Sequence, residues 1–209
     1  MGTPTQRARH DGESGLALAA VVAATRDHRM TFPIEARVRR VTPNLSMPEL
    51  YEVRARGRDG RFEATSAACD LSYNPRTGRE RLVVPPSTGQ PGFTRERDWP
   101  WFSPTHRVLA MFAPAELGIW GGTHDQHRPH GARRLDERTV RIDLVRREEP
   151  AETPSSGFVE VDLGNAVVTR MQLEDDLYTL EAARVVIDAS VTGPVVGPAL
   201  PGWRRAFAP

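Results

Sequence analysis

Residues 157–188 constrain this chain more than any other stretch. Val159, Val161 and Leu163 alternate with Glu160 and Asp162, and Gly164-Asn165 then offers a turn. Val167, Thr169, Met171 and Leu173 alternate with Arg170, Gln172 and Glu174, and Asp175-Asp176 offers a second turn. Alternation with a period of two puts successive side chains on opposite faces, so the pattern specifies short antiparallel strands in a meander with one apolar face. That face must be covered, and the rest of the chain is read for what covers it.

Upstream, Ile34, Ala36 and Val38 alternate with Glu35, Arg37 and Arg39, and Tyr51, Val53 and Ala55 alternate with Glu52, Arg54 and Arg56. Gly57-Arg58-Asp59-Gly60 turns the chain into a return strand carrying Phe62 and Ala64, and Asn74-Pro75-Arg76-Thr77-Gly78 joins strands at 69–73 and 79–84. Residues 85–92 are rich in Pro and Gly and read as a loop. Ser103-Pro104 supplies an N-cap followed by proline at the first helical position, which predicts a helix over 103–113 with Val108, Leu109, Met111 and Phe112 on it, ended by Pro114. Leu117 to Trp120 reads as a brief strand, 121–131 as a loop, and 134–147 as a strand with Val140, Ile142 and Leu144 on one side.

At the N-terminus, 13–27 reads as a helix whose face of Leu16, Ala20, Ala23 and Ala24 packs on the sheet. The apolar run 15–24 is too short to span a bilayer. Asp11 and Glu13 stand where a signal peptide carries positive charge, so the expected location is cytoplasmic. The organisation expected is a disordered tail over 1–14, one β domain over 15–190 and a Gly- and Pro-rich extension over 191–209. The fold class is mainly β (α+β): a strongly curved antiparallel sheet or incomplete β-barrel of about ten strands, with one or two short helices as a lid.

Composition removes several kinds of chemistry. All 28 basic residues are arginine, which excludes Schiff-base chemistry, a P-loop lysine and a lysine general base. A net charge of +1 gives no bulk attraction to nucleic acid. The single cysteine, Cys69, excludes an internal disulfide and a cysteine-based structural zinc site; beside Asp70 it reads as a small buried apolar group. Ser66, Ser72 and Ser103 lie in strand or cap contexts without a G-x-S-x-G elbow, so no catalytic residues and no cofactor are expected. His124, Asp125, His127 and His130 fall within seven residues, a set able to hold zinc or nickel. Arg128 and Pro129 interrupt it on a Gly-flanked loop, so it reads as a solvated polar tip and at most a weak metal site.

The order of these pieces resembles the outer-membrane lipoprotein carrier (LolA-like) superfamily, in its diverged actinobacterial branch. Three places carry the resemblance. LYEVRARGRDGRFEATSAACDLSYNPRTGR, 50–79, is similar to the family's strand, turn and strand followed by a "y-d-p-x-tgr" segment. SPTHRVLAMFAPAELGIW to RTVRIDLVRR, 103–147, resembles the helix after the third hairpin and the next strand, with Asp136-Glu137-Arg138 where the family often has a "GR" turn. VDLGNAVVTR, 161–170, fits the "vDxxtGxvxr" strand pair of the closing meander.

The resemblance implies an incomplete barrel with a helical lid and an apolar interior that accepts acyl chains or other lipophilic ligands. It implies a non-catalytic binding protein that can touch a membrane without inserting. The cavity would be lined by Trp99, Trp101, Phe102, Leu109, Met111, Phe112, Val161, Met171 and Leu173. Two other readings stand beside it. One is a structural or protein-interaction β domain whose aromatics simply fill the core. The other is a small-molecule enzyme using His124, His127 or His130 as acid or base.

Overall fold

A computed structural model describes residues 4–26, 33–43, 45–56, 61–74, 77–87, 89–98, 106–150 and 152–185. Trp99, Trp101, Phe102 and the 191–209 extension lie outside the described residues. Two helices, α1 (Pro4–Arg26) and α2 (Arg107–Ala110), accompany eleven strands. These are β1 (Ile34–Val41), β2 (Glu49–Arg56), β3 (Arg61–Thr65), β4 (Asp70–Asn74), β5 (Arg79–Val84), β6 (Phe93–Asp98), β7 (His127–Arg134), β8 (Thr139–Arg146), β9 (Gly157–Asp162), β10 (Val167–Leu173) and β11 (Asp176–Val185). All are antiparallel in one open sheet, ordered β6-β5-β4-β3-β2-β1-β11-β10-β9-β8-β7. The chain is thus two runs of hairpins, β1–β6 and β7–β11, joined along the β1–β11 pair.

The expected meander is present as β9–β10–β11, and its turns are held locally. The Asp162 carboxylate accepts from the Gly164 backbone N–H at 2.9 Å and from Asn165 Nδ2 at 2.6 Å, which bends the chain back so that Ala166 can take its positive φ of 49°. Glu174, with φ 58°, makes the second turn, one residue earlier than the pair expected from sequence. At Gly157 an added Cβ would sit 2.5 Å from the Gln172 carbonyl oxygen, so only glycine lets β9 begin this close to β10.

A flat sheet of eleven strands, at about 4.8 Å spacing, would span roughly 50 Å. Instead one core cluster takes in Tyr73 on β4, Val53 on β2, Met171 on β10 and Ile142 on β8, together with Val108, Leu109, Met111, Phe112, Leu117 and Ile119. Side chains from opposite ends of the sheet share one core, so the sheet curls round the segment 107–119. The inner face can be followed along one cross-strand row: Glu49, Arg40, Tyr178, Met171, Val159, Ile142 and Ala132 stand opposite one another in turn.

Several sequence expectations are corrected. α1 takes in 4–14, where a polar tail was expected, and its buried face is Ala17, Val21 and Thr25, not Leu16 and Ala23, which are exposed. The i, i+4 step selects small side chains there, and these let the helix lie close against β7 and β8. Residues 117–120 form turns against the 3₁₀ turn Pro114–Glu116 instead of a strand, with Trp120 Nε1–H donating to the Pro114 carbonyl at 2.9 Å. The segment 127–131, expected as loop, belongs to β7. Pro129 suggested a break, but β7 is an edge strand with an irregular register between Pro129 and Gly131, where a missing N–H removes no ladder bond.

Candidate functional site

The residues expected to line a cavity do converge on the inner face where the structure describes them. Val161 on β9 stands opposite Val168 and Val140, and Met171 on β10 stands opposite Val159 and Tyr178. Leu109, Met111 and Phe112 descend on them from the segment that starts with α2, and the Val168 N–H donates to the Met111 carbonyl at 2.8 Å. Leu109, Met111, Val161 and Met171 have 0% of their surface exposed, and Phe112 and Leu173 are also buried. A side chain with no accessible surface borders no water-sized gap. In this state the segment 107–119 is therefore packed on the face instead of arching over it. A shallow groove of about 380 Å³ lies elsewhere, at the α1–β7 border beside Leu16, Ala17 and Ala132.

The histidines do not come together. His127 on β7 is buried, whereas His124 and His130 are exposed. Asp125 accepts from the Gly122 N–H at 2.7 Å, which fixes the loop turn instead of facing a ligand. Among the described residues, no group of three His, Cys, Asp or Glu side chains is placed to hold a metal ion. Burial pushes the Cys69 thiol up, and Glu49 adds to the effect, so the sulfur is held protonated.

The feature that sequence reading missed lies at the polar end of the same row. Arg40 on β1 bridges two carboxylates, Glu49 on β2 at 3.3 Å and Asp176 on β11 at 3.0 Å. The Tyr178 hydroxyl donates to Asp176 at 3.2 Å, and Arg107 at the start of α2 reaches Asp176 at 3.7 Å and Glu174 at 3.5 Å. Ser66 donates to Glu49 at 2.9 Å, and its oxygen accepts from the Ala68 and Cys69 N–H groups. Tyr51, almost wholly buried, stacks at a tilt against His106 with ring centroids 5.8 Å apart. Burial pushes the Tyr178 phenol up to about 12, and burial and Glu49 push Tyr51 higher still, so both phenols stay neutral. The cluster ties β1, β2 and β11 to the first turn of α2. Its members are 136 residues apart at the Arg40–Asp176 contact, and no local pattern announces such a pairing.

His106 is the titratable group poised in this cluster. Its Nδ1 is buried without a partner. Burial, with Arg40 next and then Arg107 and Arg95, pulls its pKa down to about 4, against the opposing pull of Glu49. A folded pKa below the ordinary value means that the native state resists the proton. The stabilisation is complete above about pH 6.5, is lost as pH falls, and stops changing below about pH 4. The native chain is expected to lose about 2 kcal/mol between pH 7 and pH 4 on this account, after allowance for solvent screening. His106→Phe should flatten that part of the profile. Urea midpoints at the two pH values check it, and an equally steep loss in His106→Phe would assign the effect elsewhere.

No family model matches the chain, and no curated protein matches it. Solved structures similar to it include a LolA superfamily protein from Nitrosomonas europaea, at 11% identity and a TM-score of 0.33, covering 85% of this chain and 96% of that one. MucB is similar at 11% identity and a TM-score of 0.35, over 84% of this chain and 60% of its own. A DUF1329 family protein from Desulfovibrio piger is similar at 10% identity and a TM-score of 0.29, over 84% and 94%.

Proposed function

We propose that this chain is a non-catalytic binding protein that takes a lipophilic ligand, an acyl chain or other lipid, on the inner face of its sheet. The observation that supports the reading is the nature of the cover. The apolar face is covered by a four-residue helix and a three-residue 3₁₀ turn, held by short polar ties at Arg107 and Met111. So small an element can be displaced. A ligand that replaces it exchanges one apolar contact for another, with little net change in buried apolar surface. Leu109, Met111 and Phe112 are then the gate, and Val161, Met171 and Leu173 the floor. The close packing of these residues favours a second reading, a β domain that holds no small ligand and works through its surface.

Titration of the purified chain with a long-chain fluorescent fatty acid separates the two. In the carrier reading the native chain takes up the probe, and Leu109→Ala, which weakens the cover against the floor, takes it up several-fold more tightly while melting earlier. If neither protein takes up the probe, the carrier reading falls and the surface reading stands.

A further inference from the structure

The two edges of the sheet are treated differently. The β7 edge is covered: α1 lies along it, the Ser14 hydroxyl accepts from the Ala132 N–H at 2.8 Å, and Pro129 interrupts it. The β6 edge has no strand beyond it among the described residues, and all six residues of β6 are exposed. Such an edge is a row of hydrogen-bonding groups ready for another strand.

It is also pre-formed. The loop before it closes through paired backbone bonds between Ser87 and Gln90, at 3.1 and 3.0 Å. At Gly92 an added Cβ would meet Pro86 N and the Val84 oxygen, each at 2.7 Å, so the β5–β6 connection is packed as tightly as glycine allows. A strand already held in register needs little further ordering when a partner arrives.

The charges on β6 are sorted by face. Glu96 and Asp98 lie on one face, paired with Arg81 at 3.5 Å and Arg79 at 3.0 Å. Arg95 and Arg97 lie on the other, opposite Leu82 and Glu80. A second copy brought edge to edge by a two-fold axis sets odd-numbered residues against odd and even against even, because directly opposed antiparallel residues share a face. Arginine would then meet arginine, and carboxylate would meet carboxylate, which is destabilising. The edge is therefore closed to its own copy but open to a strand of the opposite pattern. On the Glu96 and Asp98 face the arginines of β5 already neutralise the charge, so the selective positions are those facing Arg95 and Arg97.

We propose that the β6 edge binds, by strand addition, an extended segment of another protein whose alternate residues are acidic and face Arg95 and Arg97. The test uses the full chain and two short synthetic peptides, one alternating glutamate with threonine and one alternating arginine with threonine. Fluorescence anisotropy is expected to show binding of the glutamate peptide and much weaker binding of the arginine peptide. Arg95→Glu/Arg97→Glu should bind the glutamate peptide on the order of tenfold more weakly and gain affinity for the arginine peptide. Both changes are on exposed side chains, and an unchanged thermal midpoint shows that the variant is folded. Amide hydrogen exchange should slow within residues 93–98 on binding. The proposal is overturned if the native chain binds neither peptide or both equally, if slowed exchange falls away from β6, or if the chain dimerises through this edge.

Discussion

Met171→Ala is expected to lower the stability of this chain by about 3 kcal/mol, and the thermal midpoint by roughly 10 °C. Met171 lies at the middle of the inner row, between Val159 and Tyr178, with no surface exposed. Shortening it removes the transfer free energy of the lost atoms and leaves a cavity. The cavity stays open because Val159 and Tyr178 are fixed by the strands on either side and cannot collapse into it. Met171→Leu keeps the volume and should stay within about 1.5 kcal/mol of the native chain. Chemical denaturation of the two variants checks the pair. If Met171→Ala costs less than Met171→Leu, the inner face is not the packed core described above.

Arg40→Met is expected to cost about 2–3 kcal/mol for a different reason. It leaves Glu49 and Asp176, 13% and 17% exposed, without the guanidinium that lies between them. The loss stays at the lower end because Ser66 still donates to Glu49 and Arg107 remains near Asp176. The added change Asp176→Asn removes one of the stranded charges, so Arg40→Met/Asp176→Asn should be less destabilised than the sum of the single variants by about 1 kcal/mol or more. Strictly additive losses would mean that the three groups do not act as a network. The same variants bear on the cover, since Asp176 also meets Arg107 at the start of α2. Loosening this corner should speed amide exchange at residues 108–112 ahead of the strands.

Much of the sheet was legible because it follows local rules. β1, β2, β3, β8 and β10 each bury one face and expose the other, and that produces the alternation seen in Ile34–Val38, Tyr51–Ala55 and Val140–Leu144. β6 escaped notice because Phe93 is its lone large apolar residue; the alternation of Arg95, Glu96, Arg97 and Asp98 was the available signal, and it is a period of charge. β7 escaped because Pro129 and Gly131 look like loop residues until the strand is known to be at an edge. The apolar members of the candidate site were legible as core-facing residues. The Arg40–Glu49–Asp176 cluster was not, because Arg40 shares its pattern with Arg37 and Arg39, which stand on exposed positions.

The sequence by itself determined the antiparallel meander, its turns and its apolar face, since period-two alternation and turn residues act over a few positions. It also removed lysine chemistry and disulfide staples outright. The tertiary structure alone decided which strand lies beside which, that β1 joins β11 across the chain, and that a short segment is packed on the inner face. It also decided that one arginine among many is the one between two carboxylates. Those outcomes depend on contacts between residues far apart in the chain, and their free energies are set by burial and register, which no local stretch carries.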